Sequence, residues 1–235
     1  MKVEIWSDIM CPFCYIGKRR FENALQQFSH KEDIEVVWKS FQLNPAMKTE
    51  PGKNINQYLA DVKGWTIDYA KQMNAHVTNM AQEVGLHYDF DKAVVANSFD
   101  AHRLIQLAKK HGKGSEMEER LFKAYFTEGK NIADHAILTG LGTGIGLDAG
   151  MIKEVLAGNE FADKVEQDIY EAQQIGVRGV PYFVINDRYA VSGAQASETF
   201  LGALNKAYAE WEPEPEFQNT SGDDANSCST DGECK

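Results

Sequence analysis

Apolar residues recur at every second position only near the two ends of this 235-residue chain, and the long stretch between them repeats every three or four. KVEIWS (2–7) alternates Val3 and Ile5 against Lys2 and Glu4, the period of a short strand. YIGKRRFENALQQFS (15–29) then places Phe21, Ala24, Leu25 and Phe28 at helical spacing. DIEVVWKSFQL (33–43) returns to strand period, and the intervening helix makes it a parallel partner of the first strand. From about Pro51 to Gln174 helix follows helix. Ile67, Ala70, Met73, Val77, Met80 and Val84 form one stripe that Gly85 stops. Ser115 and Glu118 read as a capping box, Asp134 and Asp148 as caps of two more helices, and Phe161, Val165, Ile169 and Ala172 as the lining of another that ends before Gly176. Nothing in that stretch reads as a strand. YFVI (182–185), an Asn186-Asp187 turn, RYAV (188–191) and a helix capped by Ser197 close the pattern. The predicted order is β-α-β, a helical block, then β-β-α. It divides the chain into residues 1–50, 51–174, 175–211 and a remainder, 212–235.

Composition narrows the class. With 43% hydrophobic and 25% charged residues the chain is that of an ordinary soluble globular protein, long enough for one large domain or a small one carrying an insertion. A formal net charge of −11 with no basic patch argues against nucleic acid. The N-terminal MKVEIWSD lacks the apolar core of a secretory signal, and no run approaches the ~20 apolar residues a membrane helix requires. A cytoplasmic protein is expected, in a compartment where structural disulfides are uncommon.

Against that background SDIMCPFCYIG (7–17) stands out, because two of only four cysteines lie three positions apart where the first strand gives way to the first helix. A pair of small buried hydrophobes, half of a zinc site and a working dithiol are the three readings. Zinc fits least: the other two cysteines, Cys228 and Cys234, are spaced more widely than the usual two to four intervening residues, and no metal is expected. As a dithiol, Cys11 at the helix N-terminus has its thiolate favoured by the positive end of the helix and its free N–H groups. Pro12 suits the first turn, where its missing N–H costs nothing. Cys14, about one turn in, is the resolving thiol that attacks a mixed disulfide on Cys11. Val180-Pro181 reads by itself as a strand entry, since proline lacks the N–H a ladder needs. GLGTGIG (140–146) mimics a phosphate loop but ends a helix and follows no strand, so its glycines serve packing and a turn.

Taken together, SDIMCPFCYIGK, NSFDAHRLIQLA (97–108), GVRGVPYFVIN (176–186) and YAVSGAQ (189–195) resemble the DsbA-like superfamily. Within it they are most similar to the FrnE-like disulfide oxidoreductases, relatives of the 2-hydroxychromene-2-carboxylate isomerases and kappa-class glutathione transferases. The resemblance spans residues 1–211. It implies an α/β protein, a thioredoxin fold with a large all-helical insertion. It also implies a cis bond at Val180-Pro181 facing the dithiol, and thiol–disulfide exchange with protein or peptide thiols. No cofactor is expected beyond an electron donor such as glutathione or a thioredoxin-type reductase. Strongly oxidising relatives usually carry histidine where this chain has Phe13, so Cys11 is expected to be less extreme. Dithiols of this kind span roughly −120 to −270 mV against a cytosolic poise of roughly −220 to −320 mV, which predicts a mostly reduced pair and favours reductase or isomerase work.

Asn97, His102 and Arg103 match the insertion motif and are candidates to line the cleft, although a packed histidine and a salt-bridged arginine are the ordinary readings of His102 and Arg103. After Trp211 the chain carries seven acidic residues, one lysine and almost no apolar side chain, a composition that predicts flexibility. Cys228 and Cys234 in it are a candidate auxiliary redox pair, since a coil from 211 to 228 spans on the order of 20–25 Å. Two other functions stay open at this level. One is a glutathione-dependent isomerase or transferase acting on small aromatic substrates, whose members generally carry serine where Cys11 stands. The other is a redox-regulated holdase.

Overall fold

The computed structural model describes residues 1–211. β1 (Lys2–Ser7) enters α1 (Pro12–Gln27), and a single 3-10 turn leads on to β2 (Glu35–Ser40). The insertion comprises β3 (Glu50–Asn54), α2 (Ile55–Lys63), α3 (Ile67–Gln82), β4 (Val94–Val95), α4 (Phe99–Lys110), α5 (Gly114–Phe126), α6 (His135–Gly144) and α7 (Ala149–Ala157). The chain then runs through α8 (Ala162–Gln174), β5 (Tyr182–Ile185), β6 (Tyr189–Ser192) and α9 (Ser197–Ala209). No helix among the described residues is long and apolar enough to cross a membrane.

β1 and β2 pair in parallel, with Ile5 opposite Trp38, as a helical crossover requires. β5 joins the other side of β1 antiparallel, with Ile5 opposite Phe183, giving one sheet in the order β2-β1-β5-β6. The β5–β6 turn uses Asn186 and Asp187 at φ of 53° and 52°, left-handed values that asparagine and aspartate tolerate and that match the twist of a hairpin. Strand alternation then sends successive side chains of β1 to opposite layers. Ile5 packs with Phe21 of α1, Phe183 of β5 and Phe200 of α9, while Trp6 packs with Ala172 and Val177 on the α8 side. α8 is pinned there by Asp168: its carbonyl accepts from the Trp6 indole at 2.8 Å and its carboxylate from the Ser40 amide at 2.9 Å.

The insertion has its own core around Leu104, Met117, Leu121, Phe122, Leu138 and Ile152, and it is continuous with the face of α1 that carries Cys11, Cys14, Tyr15 and Ile16. Gly142 belongs to this core, because a Cβ there would stand 2.6 Å from Ile152. Asp134 and Asp148 cap α6 and α7 as predicted, each accepting from amides of the first turn.

Three local expectations fail. β3 and β4 form a small antiparallel pair inside the stretch read as free of strands. β3 contains Pro51 and Gly52 and is mostly exposed, and β4 is two residues long, so neither shows a period of two. The capping box is absent: Ser115 lies inside α5 and accepts from the Trp38 indole at 2.9 Å, while Glu118 turns into the protein and accepts from Ser7. Ser197 is the first residue of α9 and makes no cap bond; Ala196 holds the cap position. In the last two cases a side chain found a tertiary partner, or none, where local spacing implied a local one.

Charges also tie α1 to α5. Glu119 takes Arg19 in a two-pronged pair and Lys18 at 2.8 Å, and the Tyr15 hydroxyl donates to it at 2.6 Å. Burial pushes the Glu119 carboxyl up, but the Arg19 and Lys18 cations outweigh it and hold it at about 2. A depressed carboxylate stabilises the fold fully above its unfolded value of about 4.3 and loses that contribution as pH falls toward the folded value. Glu119→Gln is therefore expected to lower stability at neutral pH by about 1 kcal/mol after solvent screening, and to flatten the loss of stability between about pH 4.5 and 2. Urea unfolding across that range checks this; an unchanged acid slope would refute it.

Candidate active site

The turn between β1 and α1 sets the site. Cys11 occupies the N-cap of α1 with extended backbone (φ −89°, ψ 110°), Pro12 follows in the first turn, and the Cys14 amide donates to the Cys11 carbonyl at 3.0 Å. The helix begins here because the Cys11 amide bonds back to the Asp8 carbonyl at 2.9 Å and proline supplies helical φ without needing a donor. Cys14 lies inside the protein, and neither cysteine is bridged. Burial pushes the Cys14 thiol well up, reinforced by its hydrogen bond to Cys11.

Across from this turn the loop before β5 presents Val180 and Pro181, joined by a cis peptide bond. The Cys11 thiol donates to the Val180 carbonyl at 3.3 Å, so the two segments, 169 positions apart in sequence, meet at the sulfur. α1 comes this close because of Gly17: a Cβ there would lie 2.9 Å from the Pro181 ring and 3.5 Å from Ala194. Arg20, one turn on, donates to the Ala194 carbonyl at 2.6 Å and holds the same loop from the side. From the insertion, Tyr88 donates to the Pro12 carbonyl at 2.8 Å and packs against the Tyr15 ring, which itself stacks on Phe122. Burial, then the nearby Cys11, pushes the Tyr88 phenol far up, so it is a fixed donor at neutral pH.

Cys11 is only 4% exposed, and what it faces is a cavity of about 400 Å³ between α1, α2 and α3. Its wall is mostly apolar, with Met47, Tyr58, Trp65, Met73 and Phe90, and Val180 at the sulfur end. Phe13 sits at the rim, 37% exposed, and brings no hydrogen-bond donor to the sulfur. Methionines and aromatic rings make a wall that adapts to apolar groups of varied shape. A polar crevice lined by Arg178, Ser192 and Gly193 lies on the other side of Val180 and Pro181.

The insertion-motif candidates separate. Arg103 is turned away from the cleft: it donates to the Glu160 and Gly158 carbonyls at 3.0 and 2.7 Å and to that of Val155, closing the C-terminal end of α7. Free carbonyls at a helix end are the natural partners of a buried guanidinium. Asn97 is a loop brace, donating to the Met47 carbonyl at 2.8 Å and accepting from the Phe99 amide at 2.8 Å. His102 is fully buried behind the dithiol, 3.5 Å from Asp8. Gly17, Ser7 and Asp8 lie in the quoted motif, yet their roles depend on contacts the motif does not state; Tyr88 had no signal in the sequence. Cys228 and Cys234 lie outside the described residues.

Residues 2–205 match the DSBA-like thioredoxin domain, nearly the whole described chain. The chain belongs to that family. It is 37% identical to a probable DsbA oxidoreductase from Streptomyces coelicolor, with a TM-score of 0.85 over 100% of this chain and 98% of that one. It is 30% identical to the uncharacterized protein YwbO of Bacillus subtilis over 86% of this chain and 95% of the relative. The cytosolic disulfide reductase DsbM from Pseudomonas aeruginosa shares the fold at 19% identity and a TM-score of 0.59, covering 89% and 96% of the two chains. In this member of the DSBA-like thioredoxin family Gly17 stands at the point where helix and loop touch. Gly17→Ala is expected to cost about 1–3 kcal/mol through overpacking against Pro181, despite alanine's better helix propensity. Urea unfolding checks it, and a variant as stable as the parent would show that the loop yields freely.

Proposed function

We propose that the protein is a thiol–disulfide oxidoreductase of the FrnE-like type that exchanges disulfides with protein or peptide thiols through Cys11 and Cys14. The observation that carries this reading is the placement of the Cys11 sulfur at the mouth of α1, 3.3 Å from the Val180 carbonyl and on the wall of an apolar cavity, with Cys14 buried one turn behind it. The positive end of the helix dipole lies at that sulfur, and thiol exchange proceeds through a thiolate. That anion attacks one sulfur of a substrate disulfide; a Cys11–substrate disulfide forms and the other substrate sulfur leaves as a thiolate that takes up a proton. Cys14 then attacks the Cys11 sulfur, a Cys11–Cys14 disulfide forms, and the second substrate thiolate departs. Two electrons have passed to the substrate, and a thiol donor such as glutathione, or a thioredoxin-type reductase, returns the pair to its reduced form.

The backbone of Val180 lies beside the sulfur, where an extended chain can add to it as a strand does. The cavity next to it accepts an apolar side chain of that chain. Phe13 leaves the Cys11 anion with no side-chain donor of its own, which suits reductase or isomerase work in a reducing compartment such as the cytoplasm.

Cys11→Ser is expected to abolish reduction of insulin and repair of scrambled ribonuclease, at least a thousandfold below the parent. Cys14→Ser is expected to accumulate a mixed disulfide at Cys11, seen by intact mass. Retention of activity by Cys11→Ser would overturn the proposal. Aggregation suppression that survives in that variant would favour a holdase, and glutathione-dependent turnover of a chromene substrate would favour the isomerase.

A further inference from the structure

The cavity that Cys11 faces is apolar along its length but not at its inner end. Its rim carries exposed side chains, Leu43 at 52% and Val62 at 53%, whereas Tyr125 of α5 and Ser98, the residue before α4, line it at 2% exposure each. The Tyr125 ring meets Phe126 edge-on with 4.8 Å between centroids, and Phe126 stacks on Tyr88, whose hydroxyl holds the first turn of α1. Among the described residues the ring nitrogens of His102 are the only sealed side-chain polar atoms without a partner. The Tyr125 hydroxyl, equally unbonded among those residues, is therefore not sealed: it opens on the space that Tyr125 lines. Two more hydroxyls on the wall act as acceptors only, Ser98 from Gln42 at 3.5 Å and Tyr58 from Asn44 at 3.0 Å, so each keeps its own proton to donate. Phenylalanine at position 125 would fill the same core without turning an unpaired hydroxyl into an apolar cavity, which is destabilising. A few polar groups placed so among apolar walls are what orient a ligand.

The exchange reading, on which this inference rests, puts a substrate cysteine at the Cys11 sulfur, on the wall of this same cavity. The side chain that enters the cavity then belongs to the residue next to that cysteine. We propose that the cavity is a tyrosine-selective pocket: the substrate carries a tyrosine beside its cysteine, the ring lies against Met47, Trp65, Met73 and Phe90, and the phenol exchanges hydrogen bonds with Tyr125 and Ser98 at the inner end. Tyr125 is in that case a specificity-determining residue and takes no part in bond making. The chemistry of the inner end selects a neutral hydroxyl over a charged group. Asp8 lines the cavity too, with its two carboxylate oxygens taken by the Met10 and Leu43 amides at 3.3 and 2.8 Å, and a second carboxylate brought beside it would be repelled and desolvated. Burial pushes the Tyr125 phenol up, so it stays a neutral donor and acceptor around pH 7. Phenylalanine enters the same walls but leaves Tyr125 unpaired, and a site built to bond a hydroxyl rejects the analogue that lacks it.

The test compares substrates that differ by one oxygen. The full chain, with Cys228→Ser and Cys234→Ser to silence the other thiols, is reduced and mixed with disulfide-linked dimers of a short neutral peptide whose cysteine is flanked on both sides by tyrosine, by phenylalanine or by leucine. Release of peptide thiol is followed by chromatography, and each rate is divided by that of the same peptide with dithiothreitol to remove intrinsic reactivity. The tyrosine peptide is expected to react about tenfold faster than the phenylalanine peptide, the worth of one neutral hydrogen bond. Tyr125→Phe is expected to bring that ratio to about one by slowing the tyrosine peptide. The same variant is expected to unfold in urea at a midpoint equal to or above the parent's, because the hydroxyl it loses has no partner within the described fold. A parent that reduces the three peptides within twofold of one another, or prefers leucine, overturns the inference. So does a Tyr125→Phe variant that keeps the tyrosine preference, or one whose midpoint falls, which would show the hydroxyl serving the fold. A parent that reduces none of the peptides overturns the exchange reading itself.

Discussion

Everything at the site depends on how α1 is gripped. On one side Gly17 lets the helix press on Pro181 and Ala194, bringing the Cys11 sulfur to the Val180 carbonyl. On the other, Tyr15 stacks on Phe122 while Lys18 and Arg19 bind Glu119 of α5. A helix held from both sides cannot slide along its axis without breaking one set of contacts. Its first turn, and the sulfur on it, therefore stay fixed relative to a loop that is distant in sequence. Loops that carry chemistry work when a rigid scaffold positions them.

The insertion is accordingly part of the site and not an ornament on the sheet. It supplies the outer wall of the apolar cavity from α2 and α3, the Tyr88 hydroxyl that fixes the Pro12 carbonyl, and the buried Glu118 that reaches back to Ser7. α8, which the sequence reading places at the end of the 51–174 insertion, instead packs on the sheet through Asp168 and Ala172, opposite α1 and α9. The sheet thus has a helix layer on each face, the arrangement that strands with alternating buried side chains require.

Much of this was legible in the residues. Period-two segments at both ends foretold strands that must meet, and Pro12 after Cys11 foretold where α1 starts. Asp134 and Asp148 were read correctly because a cap is a local bond, made within three residues. Ser115 and Glu118 were misread for the converse reason: the same residues that cap a helix also satisfy tertiary partners, and spacing does not say which. Trp38 and Ser7, far off in sequence, took them. Arg103, whose ordinary reading is a salt-bridged arginine, pairs with Asp100 at 2.8 Å and also closes the end of α7, which spacing did not say.

The sequence by itself determined the helix-start position of the dithiol and the order of the main strands and helices, β3 and β4 apart, because these follow from short-range spacing. Only the tertiary structure decided that Val180 meets Cys11, that Gly17 is a contact point, that Tyr88 anchors the first turn and that Glu118 reaches Ser7. Each of those joins residues at least 76 positions apart. Distance through space between such residues is set by how layers pack, and no local pattern encodes it.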